Sequence, residues 1–176
     1  MDSNRMESNR MESNRLESNT ARLLLRAEIG ELLDDYSRCL DDGRLDEWPS
    51  FFLDDALYNI LPRENFEENL FTSLLYLDSN AMRRDRVMCI RDVIIHQRAH
   101  SRHLVSGLQI IEATQDAISS VSNFAVMHSD SEGYSKLFAT GEYRDRVRRV
   151  EGKLKFSERI VLLDSFTIDS QLVDPL

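Results

Sequence analysis

Residues 134–168, YSKLFATGEYRDRVRRVEGKLKFSERIVLLDSFTI, decide the fold class. The stretch is rich in β-branched and aromatic residues, which fit a pleated, half-buried surface. Glu151-Gly152 divides it, and such a pair suits a two-residue hairpin turn that needs positive φ. YSKLFATGEYRDRVRRV therefore reads as one long strand and KLKFSERIVLLDSFTI as the next. In the second of these Leu154, Phe156, Ile160, Leu162, Phe166 and Ile168 fall on one face, with Glu158 and Asp164 as interruptions. Long strands joined by tight turns predict an antiparallel meander.

Upstream, HLVSGLQIIEA (103–113) and AISSVSNFAVMHS (117–129) supply two more strands. The character before them is helical. Leu25, Ile29, Leu32, Leu33, Tyr36, Cys39 and Leu40 recur at helical spacing, with acids on the far side. Gly43 is placed to end that helix as its C′ residue. RLDEWPSFF predicts a short helix with Trp48, Phe51 and Phe52 facing inward, and Pro49 tolerated near its start. DDALYNILP predicts a strand in which Ala56, Tyr58 and Ile60 alternate with Leu57, Asn59 and Leu61, ended by Pro62. Residues 63–77 read as a loop or lid. Asp78 or Ser79 caps a helix to about Asp92, with Met82, Val87 and Ile90 on its apolar side. Helices first and a meander after them predict an α+β fold, a curved sheet wrapped around helices.

The first twenty residues are a tandem repeat, MDSNR-MESNR-MESNR-LESNT. A period of five matches neither a helical stripe nor a strand. Residues 1–20 are expected to form a frayed or disordered tail, and 21–176 a single domain. The chain of 176 residues carries 31 acids against 22 bases, a net charge of −9. That balance argues against nucleic acid as a partner. The arginines that do cluster (83, 84, 86 and 91, then 144, 146, 148 and 149) read as interface or strand surface. Cys39 and Cys89 read as buried free thiols of a cytoplasmic protein. No run of 18 apolar residues spans a membrane, and no apolar segment near the start resembles a secretory signal.

IIHQRAHSRHLVSG, residues 94–107, holds three of the four histidines. On a helix His96, His100 and His103 would share a face with Asp92, the ingredients of a non-haem iron site. The β-branched run Val93-Ile94-Ile95 speaks against that helix. In an extended chain residues i and i+4 lie about 13 Å apart, beyond the reach of metal–nitrogen bonds of about 2.0–2.1 Å. Arg91, Arg98 and Arg102 add repulsion, so no metal is expected here. His103 has a second reading, as a general base in a cavity. Its carboxylate partner would be Asp54, Asp55 or Asp41. Nucleophile elbows, phosphate loops, dinucleotide fingerprints and CxxC pairs are absent from the sequence.

RLDEWPSFFLDDALYNILPREN, YLDSNAMRRDRV, SRHLVSG, FATGEYRDRV and GKLKFSERIVLLDS occur in this order over residues 25–176. Together they resemble the small (beta) subunit of aromatic-ring-hydroxylating dioxygenases, with a leaning toward subunits serving aromatic carboxylates such as terephthalate, benzoate or salicylate. The resemblance implies an NTF2-like cone of mostly antiparallel sheet around N-terminal helices. It implies a large alpha-subunit partner carrying a Rieske [2Fe-2S] cluster and a mononuclear Fe(II), an α3β3 assembly with beta–beta contacts, and electrons from NADH. It also implies that this chain is mainly structural, with no cofactor of its own. The residues agree on one point: a Rieske centre needs two cysteines and two histidines, and Cys39 and Cys89 stand fifty positions apart with no adjacent histidine. Expected interface groups are Arg83, Arg84, Arg86, Arg102, His103, Arg144 and Arg146. The rival reading is a stand-alone dehydratase or isomerase using a His103–Asp54 pair. The repeat tail, His96 and His100 depart from the family's pattern.

Overall fold

In the computed structural model, which describes residues 2–70, 72–92, 100–165 and 172–176, the Glu151-Gly152 turn joins two long strands. Both turn residues have positive φ, 50° and 80°. They link β5 (Ser135–Val150) to β6 (Lys153–Leu163), and β3 (His100–Ala113) and β4 (Ile118–Ser129) extend the meander. β1 (Phe52–Pro62) lies on the other side of β6 and runs parallel to it, and β2 (Leu75–Leu77) pairs antiparallel with β1. The sheet order is β2-β1-β6-β5-β4-β3, open at both edges. The predicted α+β architecture is the one observed.

Helix α1 (Asp2–Asp41) takes in the backbone of the pentapeptide repeat and then crosses the concave face of the sheet. Its buried residues Ile29, Leu33, Tyr36, Cys39 and Leu40 are those of the predicted stripe. Gly43 ends it at φ 68°, and its N–H donates to the Leu40 carbonyl. A 3-10 turn at Trp48–Phe51 then drops Trp48 into the core. Segment 63–77 is more regular than a lid: α2 (Arg63–Glu67) and β2 fall within it. The other helix, α3 (Asn80–Asp92), is preceded by Ser79, whose hydroxyl accepts from the Met82 N–H.

Two predicted faces need correction. In α3 the inward residues are Arg83, Val87 and Ile90, while Met82 is exposed. The i, i+4, i+7 row includes an arginine, which the interior satisfies by hydrogen bonding. In β6 the inner face does not follow even numbers. Arg146 pairs with Glu158 but Val147 pairs with Phe156, so Ser157 is the extra residue of a β-bulge. Past the bulge the alternation flips. Phe156 points inward, and after it Arg159, Val161 and Leu163. Glu158 is no interruption of the core face. Phe166 and Ile168 lie outside the described residues.

Candidate functional site

The concave face of the sheet, covered by α1 and the 3-10 turn, places charged residues among aromatic ones. Two buried pairs, each an acid with a basic side chain, sit there. Asp41 stands at the last turn of α1 and His103 on β3, with Asp41 Oδ1 2.7 Å from His103 Nδ1. Their side chains are only 4% and 2% exposed. The His103 backbone N–H also donates to both carboxylate oxygens, at 3.1 and 3.2 Å. A carboxylate on Nδ1 fixes the ring's orientation and leaves Nε2 as the free nitrogen. That atom is buried with no hydrogen-bond partner among the described residues.

The second pair lies deeper. Arg159 donates from Nε and Nη2 to the two oxygens of Asp145, both at 2.8 Å. The pairing of Asp145 with Arg159 across β5 and β6 creates it. The guanidinium carbon lies 4.1 to 4.2 Å from the ring centres of Tyr36, Tyr143 and Phe156. Burial alone would lower the basicity of Arg159, but the Asp145 carboxylate outweighs it and holds the guanidinium firmly charged. Burial also raises the Tyr36, Tyr58 and Tyr143 hydroxyls well away from ionisation.

Hydroxyls knit the closing segment into this interior. Trp48 Nε1 donates to Tyr36 Oη at 3.0 Å. Tyr36 and Tyr58 both donate to the Leu176 main-chain oxygen, and the Leu176 N–H donates back to Tyr58. Val173 and Leu176 are buried, and Arg86 caps the Leu172 and Val173 carbonyls.

The predicted site residues separate into two groups. Among the three carboxylates considered for His103, the partner is Asp41. Asp54 instead accepts from Asn80 at 3.0 Å, and Asp55 is exposed. The His103–Asp54 pairing is therefore corrected: helix α1 ends against β3, and its last carboxylate meets the histidine. Arg83 and His103, expected at interfaces, are interior groups. Arg83 is fully buried and donates to the carbonyls of Leu53, Asp54 and Ala56, fastening α3 to β1. Arg86 is spent on the closing segment. Arg84, Arg102, Arg144 and Arg146 are exposed, Arg102 lying 3.4 Å from Asp41.

Among the described residues the candidate metal ligands do not come together. His100 opens a strand and is exposed while His103 is buried, Asp92 pairs with Arg91, and His96 lies outside the described residues. No group of three or more His, Cys, Asp or Glu that could hold a metal occurs among the described residues. Cys39 is buried with its thiol pushed up to about 11, chiefly by desolvation, and Cys89 is on α3. This donor set does not fit an iron–sulfur cluster. The Arg159–Asp145 pair escaped sequence reading, although Tyr143-x-Asp145-x-Val147 alternating with Arg144, Arg146 and Arg148 already signalled an acid on the inner face.

An open, mostly antiparallel sheet wrapped on an N-terminal helix, with a polar centre inside, defines the NTF2-like class. The SnoaL-like domain family matches residues 21–160. The chain is 32% identical over 149 residues to the anthranilate 1,2-dioxygenase small subunit of Burkholderia cepacia, covering 85% of this chain and 92% of that one. It is 32% identical over 143 residues to a terephthalate 1,2-dioxygenase terminal oxygenase component subunit beta of a Comamonas species, covering 80% and 92%. A crystal structure from Novosphingobium aromaticivorans, a beta subunit assigned to an aromatic-ring-hydroxylating dioxygenase, superposes with a TM-score of 0.81 at 29% identity, covering 89% and 99%. This chain belongs to the SnoaL-like family and, within it, to the small subunits of aromatic-ring-hydroxylating dioxygenases.

Proposed function

We propose that this chain is the structural subunit of an α3β3 oxygenase and docks a large subunit that carries a Rieske cluster and a mononuclear iron. The oxygenase acts on an aromatic compound, an aromatic carboxylate by analogy with the anthranilate and terephthalate enzymes, and draws electrons from NADH in the cytoplasm. The large partner follows from membership among small subunits of oxygenase components. Among the described residues no helix is long and apolar enough to cross a membrane. Exposed arginines at Arg84, Arg102, Arg144 and Arg146 suit contacts between subunits, since a planar guanidinium pairs carboxylates bidentately. Residues 21–176 act as the domain, with 1–20 an appendage to it.

The observation that carries this reading is the state of the concave face. Tyr36, Trp48, Tyr58, Phe156 and Leu176 fill it around the Arg159–Asp145 pair. The His103–Asp41 pair has the composition of a general base, but a 2% exposed side chain offers no approach to a substrate. The His103–Asp41 and Arg159–Asp145 pairs hold elements together. The test is co-expression with the large subunit of an aromatic-ring-hydroxylating oxygenase from the same source. A complex with the absorbance of a Rieske cluster and the mass of six chains is expected. A small subunit that purifies alone and converts a hydroxylated or epoxide substrate by itself would overturn the reading in favour of a dehydratase or isomerase.

A further inference from the structure

The convex face of the sheet carries a patch that the interior does not explain. Across β4, β5 and β6, Val121 pairs with Arg144 and Arg144 with Ile160; one row along, Ser119 pairs with Arg146 and Arg146 with Glu158. These residues face outward, since their neighbours Ser120, Ser122, Tyr143, Asp145 and Arg159 face in. With Phe66 of α2 and Ile111 of β3 they line a groove of about 670 Å³. Its apolar residues are Phe66, Ile111, Val121 and Ile160. Ile111 is 62% exposed, on a strand that is the open edge of the sheet.

The charges of this groove are arranged and partly unspent. Arg144 is held by Glu142 at 2.7 Å and its guanidinium carbon sits 4.8 Å from the Phe66 ring centre. Arg146 and Arg148 follow it at alternate positions on the same outward side, both exposed. Neither makes an ion pair within the described residues, although Glu158 stands opposite Arg146. In a chain of net charge −9 this is a local positive stripe beside an apolar floor. Matching chemistry is an apolar side chain flanked by carboxylates. A two-fold contact between copies is disfavoured, because it would lay the arginine stripe of one copy on the same stripe of the other.

We propose that this convex groove, with Arg144, Arg146, Phe66 and Ile111 as its main contacts, receives an acidic segment with an apolar anchor from the large subunit. The assignment rests on the reading of the chain as a small subunit, and it names the surface that reading leaves open.

The experiment is co-purification of the small chain with a tagged large subunit, using wild type, the Arg144→Glu/Arg146→Glu double variant, Ile111→Asp, and Arg22→Glu, at an exposed position of α1, as a control. Circular dichroism of each small chain reports folding. Wild type and the control are expected to co-purify. The double variant is expected to lose about tenfold or more in affinity, with a weaker salt dependence among the residual binders. Folded double and Ile111→Asp variants that bind like wild type would overturn the groove while leaving the functional reading intact. A wild-type chain that never binds the large subunit removes both. Loss of self-association of the small chain, with large-subunit binding unchanged, assigns the groove to a second copy and overturns the proposal.

Discussion

Asp41 and His103 meet at 2.7 Å although they lie 62 positions apart in the chain, and the same carboxylate also accepts the His103 backbone N–H. One acid at a helix end thus fixes both the main chain and the ring of an edge strand. The joint between α1 and β3 depends on it, because edge strand β3 is paired on one side only.

Removing that acid leaves a buried N–H and a buried ring nitrogen without a partner. Asp41→Ala is expected to destabilise the chain by about 2 kcal/mol or more. Chemical denaturation followed by fluorescence of Trp48 measures it. A change within about 0.5 kcal/mol, the range of neutral surface substitutions, would show that the pair does not pin the helix.

The Arg159–Asp145 pair makes a sharper demand. Both side chains are essentially inaccessible, 0% and 1% exposed. Asp145→Ala strands a guanidinium inside an aromatic cage and is expected to cost about 3–5 kcal/mol. The double change Arg159→Met/Asp145→Leu removes both charges and is expected to recover most of that loss. Urea midpoints for the two variants decide it: a double variant no better than the single would mean that the charges themselves hold the sheet.

Gly141 on β5 lies opposite Leu163 of β6. A Cβ added there would lie 1.9 Å from the Leu162 carbonyl oxygen and 2.9 Å from the Phe124 ring. Since the obstacle is backbone, Gly141→Ala is expected to cost about 3 kcal/mol or more, above the common range for overpacking. Gly30, on α1, has nothing within 4 Å of the same position. Gly30→Ala is expected to gain about 0.5–1 kcal/mol from helix propensity. Thermal melts of the two variants should move in opposite directions.

His128 gives a pH dependence. It stacks on Phe138 at 3.8 Å, and desolvation is the main cause holding its pKa below the usual 6.5, with His103 and Lys136 adding repulsion and Asp174 opposing. A base whose folded pKa is depressed contributes its stability in full above the unfolded value. That contribution is lost as pH falls from 6.5 through the folded pKa. Wild type is therefore expected to lose stability on acidification below 6.5, and His128→Gln to lose less. Parallel urea titrations at several pH values check this; identical slopes for the two proteins would remove His128 as the cause.

Much of the fold was legible because it is written in short-range patterns. The α1 stripe from Leu25 to Leu40, the Gly43 stop and the Glu151-Gly152 turn each need only neighbouring residues to be understood. The inner face of β6 was not legible, because the bulge at Ser157 arises from pairing with β5 and flips every later side chain. Arg83 misled for a related reason. Its helical spacing with Val87 and Ile90 was visible, but the carbonyls of Leu53, Asp54 and Ala56 that welcome it come from another element.

Taken alone, the sequence determined the helices-then-meander order of the elements, because periodicity and turn residues are local. The tertiary structure alone decided that His103 takes Asp41 rather than Asp54, and that Asp145 and Arg159 neutralise each other at the centre. It also separated exposed from buried arginines. Hydrophobic periodicity is a local signal, whereas the partner of a charge depends on which chain ends and strand faces the fold brings together.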